Sequence, residues 1–288
     1  MTRALPRPPA RGRGRLRIGQ ALLRAALALG GLLMVAPFYW TLITSFKSPA
    51  EVRAFPPTWW PREPTLAHWR SLGDLSFGSF GDFFRNSLLV VGTQTLGVLL
   101  LSAMAGYAFA KISFPGRDGL FWVVLAMLTI PPNFLIVPLY ALVVDLGWSN
   151  HYAALIVPGL FYPLGIFLMR QTMQGIPNDL LDAARVDGAG EFTLFWRVAL
   201  PLAGAGLAAL GIFHFIVEWD SLLWPLVVID DPAKYTIPLG LAQFRGRLGT
   251  DIGPTAAGAM VAVLPVLVVY LFAQRHFIEG ITQGGLKG

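Results

Sequence analysis

The sequence contains no cysteine, which excludes disulfides, thiol nucleophiles and cysteine-based metal sites together. Histidine is scarce as well. His68, His151, His214 and His276 are scattered, and no two of them lie at metal-ligand spacing. No G-x-x-x-x-G-K-S/T pattern occurs, so the chain cannot cradle nucleotide phosphates in a P-loop. No internal repeat of fixed period is visible. Charge is the most telling shortage: 22 basic and 16 acidic residues make up only 13% of 288 residues. A soluble domain of this length would need far more polar surface.

What fills the chain instead is apolar, at 55% hydrophobic residues with a mean hydropathy of +0.60. The charge-free runs are Ala25–Phe46, Asn86–Ala110, Gly119–Val144, Leu146–Met169, Val198–Val217 and Ile252–Gln274, each 20 to 26 residues long. About 20 apolar residues cross a bilayer core as a helix. The runs are continuous rather than alternating, and twice too long for the strands of a membrane barrel. A soluble all-α protein would need six helices with no polar face at all. The expected fold is therefore an all-α, polytopic membrane protein with six transmembrane helices, over about 25–46, 86–110, 119–144, 150–169, 202–228 and 254–274. A basic arm (1–24) precedes the transmembrane domain (25–288), and a tail (275–288) closes it.

Seven arginines and no acid occupy the first 24 residues. The excess of basic residues on the cytoplasmic side places this arm, and with it both termini, inside. The arm, the even-numbered loops and the tail then hold 14 basic residues against eight outside, namely Lys47, Arg53, Arg62, Arg70, Arg85, Lys234, Arg245 and Arg247. The first apolar run ends in "FYWTLITSF", without a small-residue cleavage site, and reads as a retained anchor rather than a signal peptide. A pI near 9.9 follows from this bias without any nucleic-acid partner. The first outside loop, Lys47–Arg85, carries "FPPTWWPREP". Trp59 and Trp60 there read as interfacial belt residues, with docking of a partner as the alternative. In the third run, "TIPPNF" forces a kink or break at Pro131 and Pro132.

Between the fourth and fifth runs, over about 171–201, lies the polar stretch "DAARVDGAGEFTLFWRVALP". It reads as a helix capped by Asn178 or Asp179 behind Pro177, then a turn at Asp187-Gly188, then a second helix near Glu191–Leu200. Phe192, Phe195 and Trp196 fall along one side of that second helix. Composition alone admits a loop lying on the membrane surface. Yet Asp179, Asp182, Asp187 and Glu191 outnumber Arg185 and Arg197, whereas lipid-surface helices are Lys/Arg-rich. An acidic elbow of this kind suits a protein groove.

"DAARVDGAGEFTLFWRVALPL" resembles the EAA loop of binding-protein-dependent ABC importer permeases. Asp182 stands at the glutamate, one methylene shorter; Ala183 and Ala184 match the alanines, and Asp187, Gly188 and Ala189 match outright. From about the first span to Gly288, leaving out only the basic arm, the chain resembles the maltose-type permeases of carbohydrate uptake through "NSLLVVGTQTLGVLLLSAMAGYAFAKISFPGR", "TIPPNFLIVPLYALVVDLGW", "EWDSLLWPLVV" and "FIEGITQGGLKG". That resemblance implies a non-catalytic permease of the cell inner membrane with no cofactor of its own. Asp182–Ala184, Asp187–Ala189, Glu191 and Phe192 would form the coupling loop. The implied partners are an ATP-binding cassette ATPase dimer that holds ATP and Mg, a second homologous permease and an extracytoplasmic solute-binding protein.

The acids of the fifth run suggest where substrate passes. A carboxylate near mid-membrane costs about 2.5–3.5 kcal/mol, so it normally faces a cavity or a partner. On an unbroken helix His214, Glu218 and Ser221 share one face, while Asp220 points away by well over about 100°. The alternative is that both acids sit at the outer interface, about 25 Å of helix beyond Pro201. Carboxylates accept hydroxyl hydrogen bonds and aromatic rings pack on sugar faces. Glu218, Trp219, Asp220, His214, Ser221, Trp224 and Asn133 are therefore the candidate pathway residues, for a sugar or oligosaccharide. A phosphorylated polyol such as glycerol-3-phosphate is the alternative substrate, disfavoured by the acids. A secondary transporter would need coupling-ion sites and repeats, and a membrane enzyme a convergent catalytic set; neither is visible.

Overall fold

A computed structural model describes residues 13–75, 78–246 and 252–284. Arg3, Arg7 and Arg11 of the basic arm, Arg247 and residues 285–288 of the tail lie outside the described residues. The main helical elements follow in order: α1 (Arg13–Ser45), α2 (Phe80–Lys111), α3 (Arg117–Met127), α4 (Pro132–Asp145), α5 (Tyr152–Leu160), α6 (Pro163–Gln174), α7 (Asn178–Val186), α8 (Glu191–Leu202), α9 (Gly204–Trp219), α10 (Leu223–Val228), α11 (Ile237–Gly246) and α12 (Ile252–Gly284). Among the described residues there is no β-strand, only an isolated bridge between Leu75 and Gly78.

Three helices are long and apolar enough to cross a membrane, and three bent pairs bring the number to six if each pair is one span. The breaks have local causes. At Pro131-Pro132 the chain bends by 93° between α3 and α4, as the proline pair requires. Between α5 and α6 it bends by 42°, around Pro158 and Pro163. The third bend, 75° between α8 and α9, falls at the start of the expected fifth span. Pro201 has no N–H to give the helical ladder, and the turn before it, Phe195–Ala199, widens into a π-helix. A second break corrects the same span at its other end: α9 stops at Trp219 instead of running on to residue 228. Asp220 there takes φ −91° and ψ 3°, and α10 begins only at Leu223.

The chain divides into two compact units. The first holds the described residues up to Trp69 together with Ile252–Met260. Here the Pro/Trp-rich loop folds back on the end of α1. Lys47, buried, donates to the Thr58 carbonyl and lies 4.3 Å over the Trp40 ring. The Glu51 carboxylate accepts from the Thr58 hydroxyl at 2.6 Å and from the Arg62 N–H at 3.1 Å. Trp59 and Trp60 remain exposed at the loop's rim.

The second unit is organised on α2. Its helix starts at the Ser79 cap, whose hydroxyl accepts from the Gly81 N–H, and ends at Lys111, where Ile112 turns extended. The buried stripe runs through Ser87, Val91, Gln94, Val98 and Ser102, at helical spacing. Its polar members face inward, while Leu88, Leu96, Leu100 and Leu101 are exposed. Lipid is as apolar as leucine, so a membrane helix gains nothing by hiding leucine and hides its polar groups instead. Packing density does the rest. Gly106 lets α2 approach α6 so closely that a Cβ there would sit 2.6 Å from the Met169 Cβ and 2.7 Å from the Arg170 nitrogen.

Candidate functional site

Two regions of the second unit carry the chemistry. The first is the elbow of α7 and α8. Helix α7 ends in a Schellman-type closure: the Gly188 N–H donates to the Arg185 carbonyl and the Ala189 N–H to the Ala184 carbonyl. This closure needs a left-handed residue, and Gly188 supplies φ +86°. The inner face of the elbow is apolar, with Leu181, Leu194 and Phe195 in one buried cluster with Tyr107, Met169 and Met173. Its outer face exposes Val186 and Phe192, and partly Leu180 and Trp196.

The elbow's acids divide into two sets. Arg185 bridges both helices: Nη1 lies 2.7 Å from Asp182 Oδ1 and Nη2 lies 2.9 Å from Glu191 Oε1. Glu191 Oε2 in turn accepts from the Tyr107 hydroxyl of α2 at 2.7 Å. Asp179 and Asp187 make no ion pair or hydrogen bond through their side chains among the described residues. The sequence treats all four acids as one outward set, whereas Asp182 and Glu191 hold the elbow's own shape. Neither Asn178 nor Asp179 caps α7: Pro177 holds that position, and Asn178 Oδ1 accepts from Lys111 Nζ at 2.7 Å. Lys111 also reaches the Ile176 carbonyl at 2.6 Å. Ala183 is exposed, while Ala184 and Ala189 pack on the buried cluster.

The second region is a cavity of about 260 Å³ lined by Gln94, Asn133, Glu218, Ser221 and Trp224, with Ile136, Leu139 and Leu155 as apolar wall. Trp224 is fixed by donating from Nε1 to the Ala154 carbonyl at 2.8 Å. Glu218 makes no hydrogen bond or ion pair with its carboxylate among the described residues. Four of the seven expected pathway residues meet here: Asn133, Glu218, Ser221 and Trp224. Ser221 reaches the cavity through the turn after α9, not along a continuous helical face.

The other three do not line this cavity. His214 is buried, with Nδ1 3.0 Å from the Thr95 hydroxyl and its ring edge-on to Tyr162. Trp219 is buried too: it stacks on Phe215 and donates to the Ala262 carbonyl at 2.9 Å, touching only a small adjoining pocket beside Glu218. Asp220 is exposed and lines neither space. Sequence reasoning missed Gln94, whose signal was available as a carboxamide in the middle of an apolar run. It also missed Tyr107 and Lys111, whose partners lie 84 and 67 residues away and carry no sequence signal.

The chain belongs to the family of binding-protein-dependent transport system inner membrane components, which matches residues 98–282. It is 38% identical over 211 residues to the arabinooligosaccharides transport system permease protein AraQ of Halalkalibacterium halodurans, a match covering 73% of this chain and 76% of that protein. It is 34% identical over 274 residues to the diacetylchitobiose uptake system permease protein NgcG of Streptomyces coelicolor, covering 93% and 89%. In three dimensions it matches a chain of the crystal structure of a bacterial ABC transporter involved in the import of the acidic polysaccharide alginate. The TM-score is 0.79 at 22% identity, over 94% of this chain and 100% of that one, a likeness of fold. This is the multi-pass, inner-membrane permease component of an ABC importer, not its ATP-hydrolysing component.

Proposed function

We propose that this permease passes a neutral sugar or oligosaccharide through a pathway to which it contributes Glu218, Asn133, Gln94, Ser221 and Trp224. The observation that carries this reading is the cavity's lining: one carboxylate, two carboxamides, a hydroxyl and an indole, with no cation. A carboxylate accepts from sugar hydroxyls, carboxamides both accept and donate, and an indole packs on a ring. A phosphorylated polyol would meet the Glu218 carboxylate with nothing positive to offset it. The relatives named for arabinooligosaccharides and diacetylchitobiose agree with a neutral carbohydrate. At about 260 Å³ the space falls just under the roughly 300–1,000 Å³ usual for small-molecule sites, which suits a half-site completed by a second, homologous permease.

The elbow is then the seat of the engine. Its exposed Val186 and Phe192, with Asp179 and Asp187, would sit in a cleft of a separate ATPase dimer, where ATP and Mg are held. Both termini and the elbow lie on the cytoplasmic side, and an extracytoplasmic solute-binding protein delivers the substrate to the opposite face. Reconstituted with its ATPase, second permease and binding protein, the importer should take up a labelled neutral oligosaccharide and not glycerol-3-phosphate. Uptake of the phosphorylated compound alone would reverse the assignment.

A further inference from the structure

We propose that α2 is the rod that carries the elbow's displacement to the cavity, and that Tyr107 and Lys111 are the positioning residues that fasten the elbow to it. The inference rests on reading the elbow as the element that meets the ATPase.

Three routes lead from the elbow to the cavity, two of them covalent. Helix α8 continues to α9 and so to Glu218, through a 75° bend at Ala203 behind a proline and a π-turn, where a push would have to pass. In the other direction the elbow joins α6 and then α5, whose Leu155 and Pro158 line the cavity, through a 42° bend. Helix α2 is different. It runs unbroken for 32 residues, with Tyr107 and Lys111 near one end and Gln94 on the cavity wall. Gln94 and Lys111 stand about 25 Å apart along the axis at about 1.5 Å per residue. A displacement at one end arrives at the other without passing a joint.

The fastening is specific. Lys111 grips the entry to the elbow, through the Ile176 carbonyl and Asn178 Oδ1. Tyr107 grips its second helix through Glu191, while its ring packs edge-on against Phe195 at 5.5 Å. Arg185 ties the two elbow helices to each other. Both halves of the elbow are therefore bonded to the same helix, and each bond has a charged partner, the stronger class of hydrogen bond. Gly106, next to Tyr107, seats α2 against α6.

The test uses the complete importer in proteoliposomes, with transport and ATP hydrolysis measured together. Tyr107→Phe removes one hydroxyl and leaves the ring contact with Phe195. We expect assembly and ATP hydrolysis to persist while substrate moved per ATP falls about ten- to hundredfold, the scale of one lost bond to a charged group. A role confined to folding would lower both rates together and leave their ratio unchanged. The absence of cysteine permits a second arm. Lys111→Cys with Asn178→Cys should transport poorly when unlinked, and a short bis-methanethiosulfonate linker, which joins the two thiols with loss of sulfinate at each end, should restore transport, because a rigid connection suffices. An unchanged ratio in Tyr107→Phe, or a linker that blocks transport, overturns the rod. Asp187→Lys separates the two readings: if it leaves ATPase association and transport intact, the elbow assignment itself fails. If it disturbs them while Tyr107→Phe does not, only the rod is lost.

Discussion

Gly106→Ala adds a single methyl group where α2 meets α6, and the geometry sets its cost. The new carbon would lie 2.6 Å from the Met169 Cβ, 2.7 Å from the Arg170 nitrogen and 2.7 Å from the Met169 carbonyl carbon. Two of these three are backbone atoms and cannot swing aside. Carbon atoms pack best at about 3.5–4.0 Å, so the helices must part by about 1 Å. Overpacking of this kind costs about 1–3 kcal/mol. In a bilayer no hydrophobic gain compensates, because helix association there rests on close contact. For a chain of this size each kcal/mol lowers the midpoint by about 2–4 °C, so heat inactivation of the purified complex should shift down by roughly 2–12 °C. Gly92→Ala is the control: it lies on the same helix with nothing within 4 Å of its Cβ. If the two variants lose activity at the same temperature, α2 and α6 are not in the contact described. The same displacement should pull Tyr107 off Glu191, so Gly106→Ala should also lower transport per ATP.

Three further outcomes are expected. Glu218→Gln should reduce uptake of a neutral sugar by the equivalent of about 1–2 kcal/mol, roughly five- to thirtyfold, since a carboxylate bond to a hydroxyl outweighs an amide one. Asp220→Asn, exposed and off the cavity, should be nearly silent, and equal losses from both changes would remove Glu218 from the pathway. At Gly188 a methyl group would find no atom within 4 Å, so a substitution meets only the left-handed backbone, at about 1–2 kcal/mol. Gly188→Val should therefore uncouple transport from ATP hydrolysis more than Gly188→Asn, which tolerates that conformation; the reverse order of coupling ratios would contradict the turn. The Glu51 carboxyl lies below its ordinary value, chiefly because the Thr58 hydroxyl bonds to it, with the Arg62 N–H adding to this. A depressed carboxyl contributes stability above its unfolded value and loses it as pH falls through the folded one. Protection of residues 48–63 from hydrogen exchange should accordingly fade below the ordinary 4.5, and Glu51→Gln should flatten that dependence; protection unchanged in acid would dismiss the contact.

The membrane class was legible because six charge-free runs leave no other place for their surface, and the Pro131-Pro132 break because no backbone passes straight through that pair. The turn at Gly188 was legible for a similar local reason. What the sequence hid depends on interactions between distant segments, or on several weak local preferences acting together. The π-turn at Phe195–Ala199 is one such feature, whereas the bend just after Pro201 falls at the expected end of the elbow's second helix. Helix α9 ends at Trp219 because Asp220 and Ser221 favour a turn, with the Ser221 N–H donating back to the Glu218 carbonyl. An apolar average over the run conceals that preference.

That break changes the argument about the two acids. On a continuous helix, Glu218 and Ser221 share a face by periodicity and Asp220 is excluded by the same rule. With the helix ended at Trp219, periodicity no longer decides Ser221, and the turn delivers it to the cavity instead. Trp219, adjacent to Glu218 in sequence, is withdrawn by its bond to the Ala262 carbonyl and its stack on Phe215. Trp224 supplies the indole that the expectation assigned to both. Of the expected set the cavity holds one acid, one indole, one carboxamide and the serine hydroxyl, and it adds a second carboxamide. Gln94 enters through α2, the helix that also holds the elbow. A substitution at Gln94 should therefore alter substrate affinity and leave ATP hydrolysis coupled, whereas one at Tyr107 should do the opposite, although both residues lie on one helix.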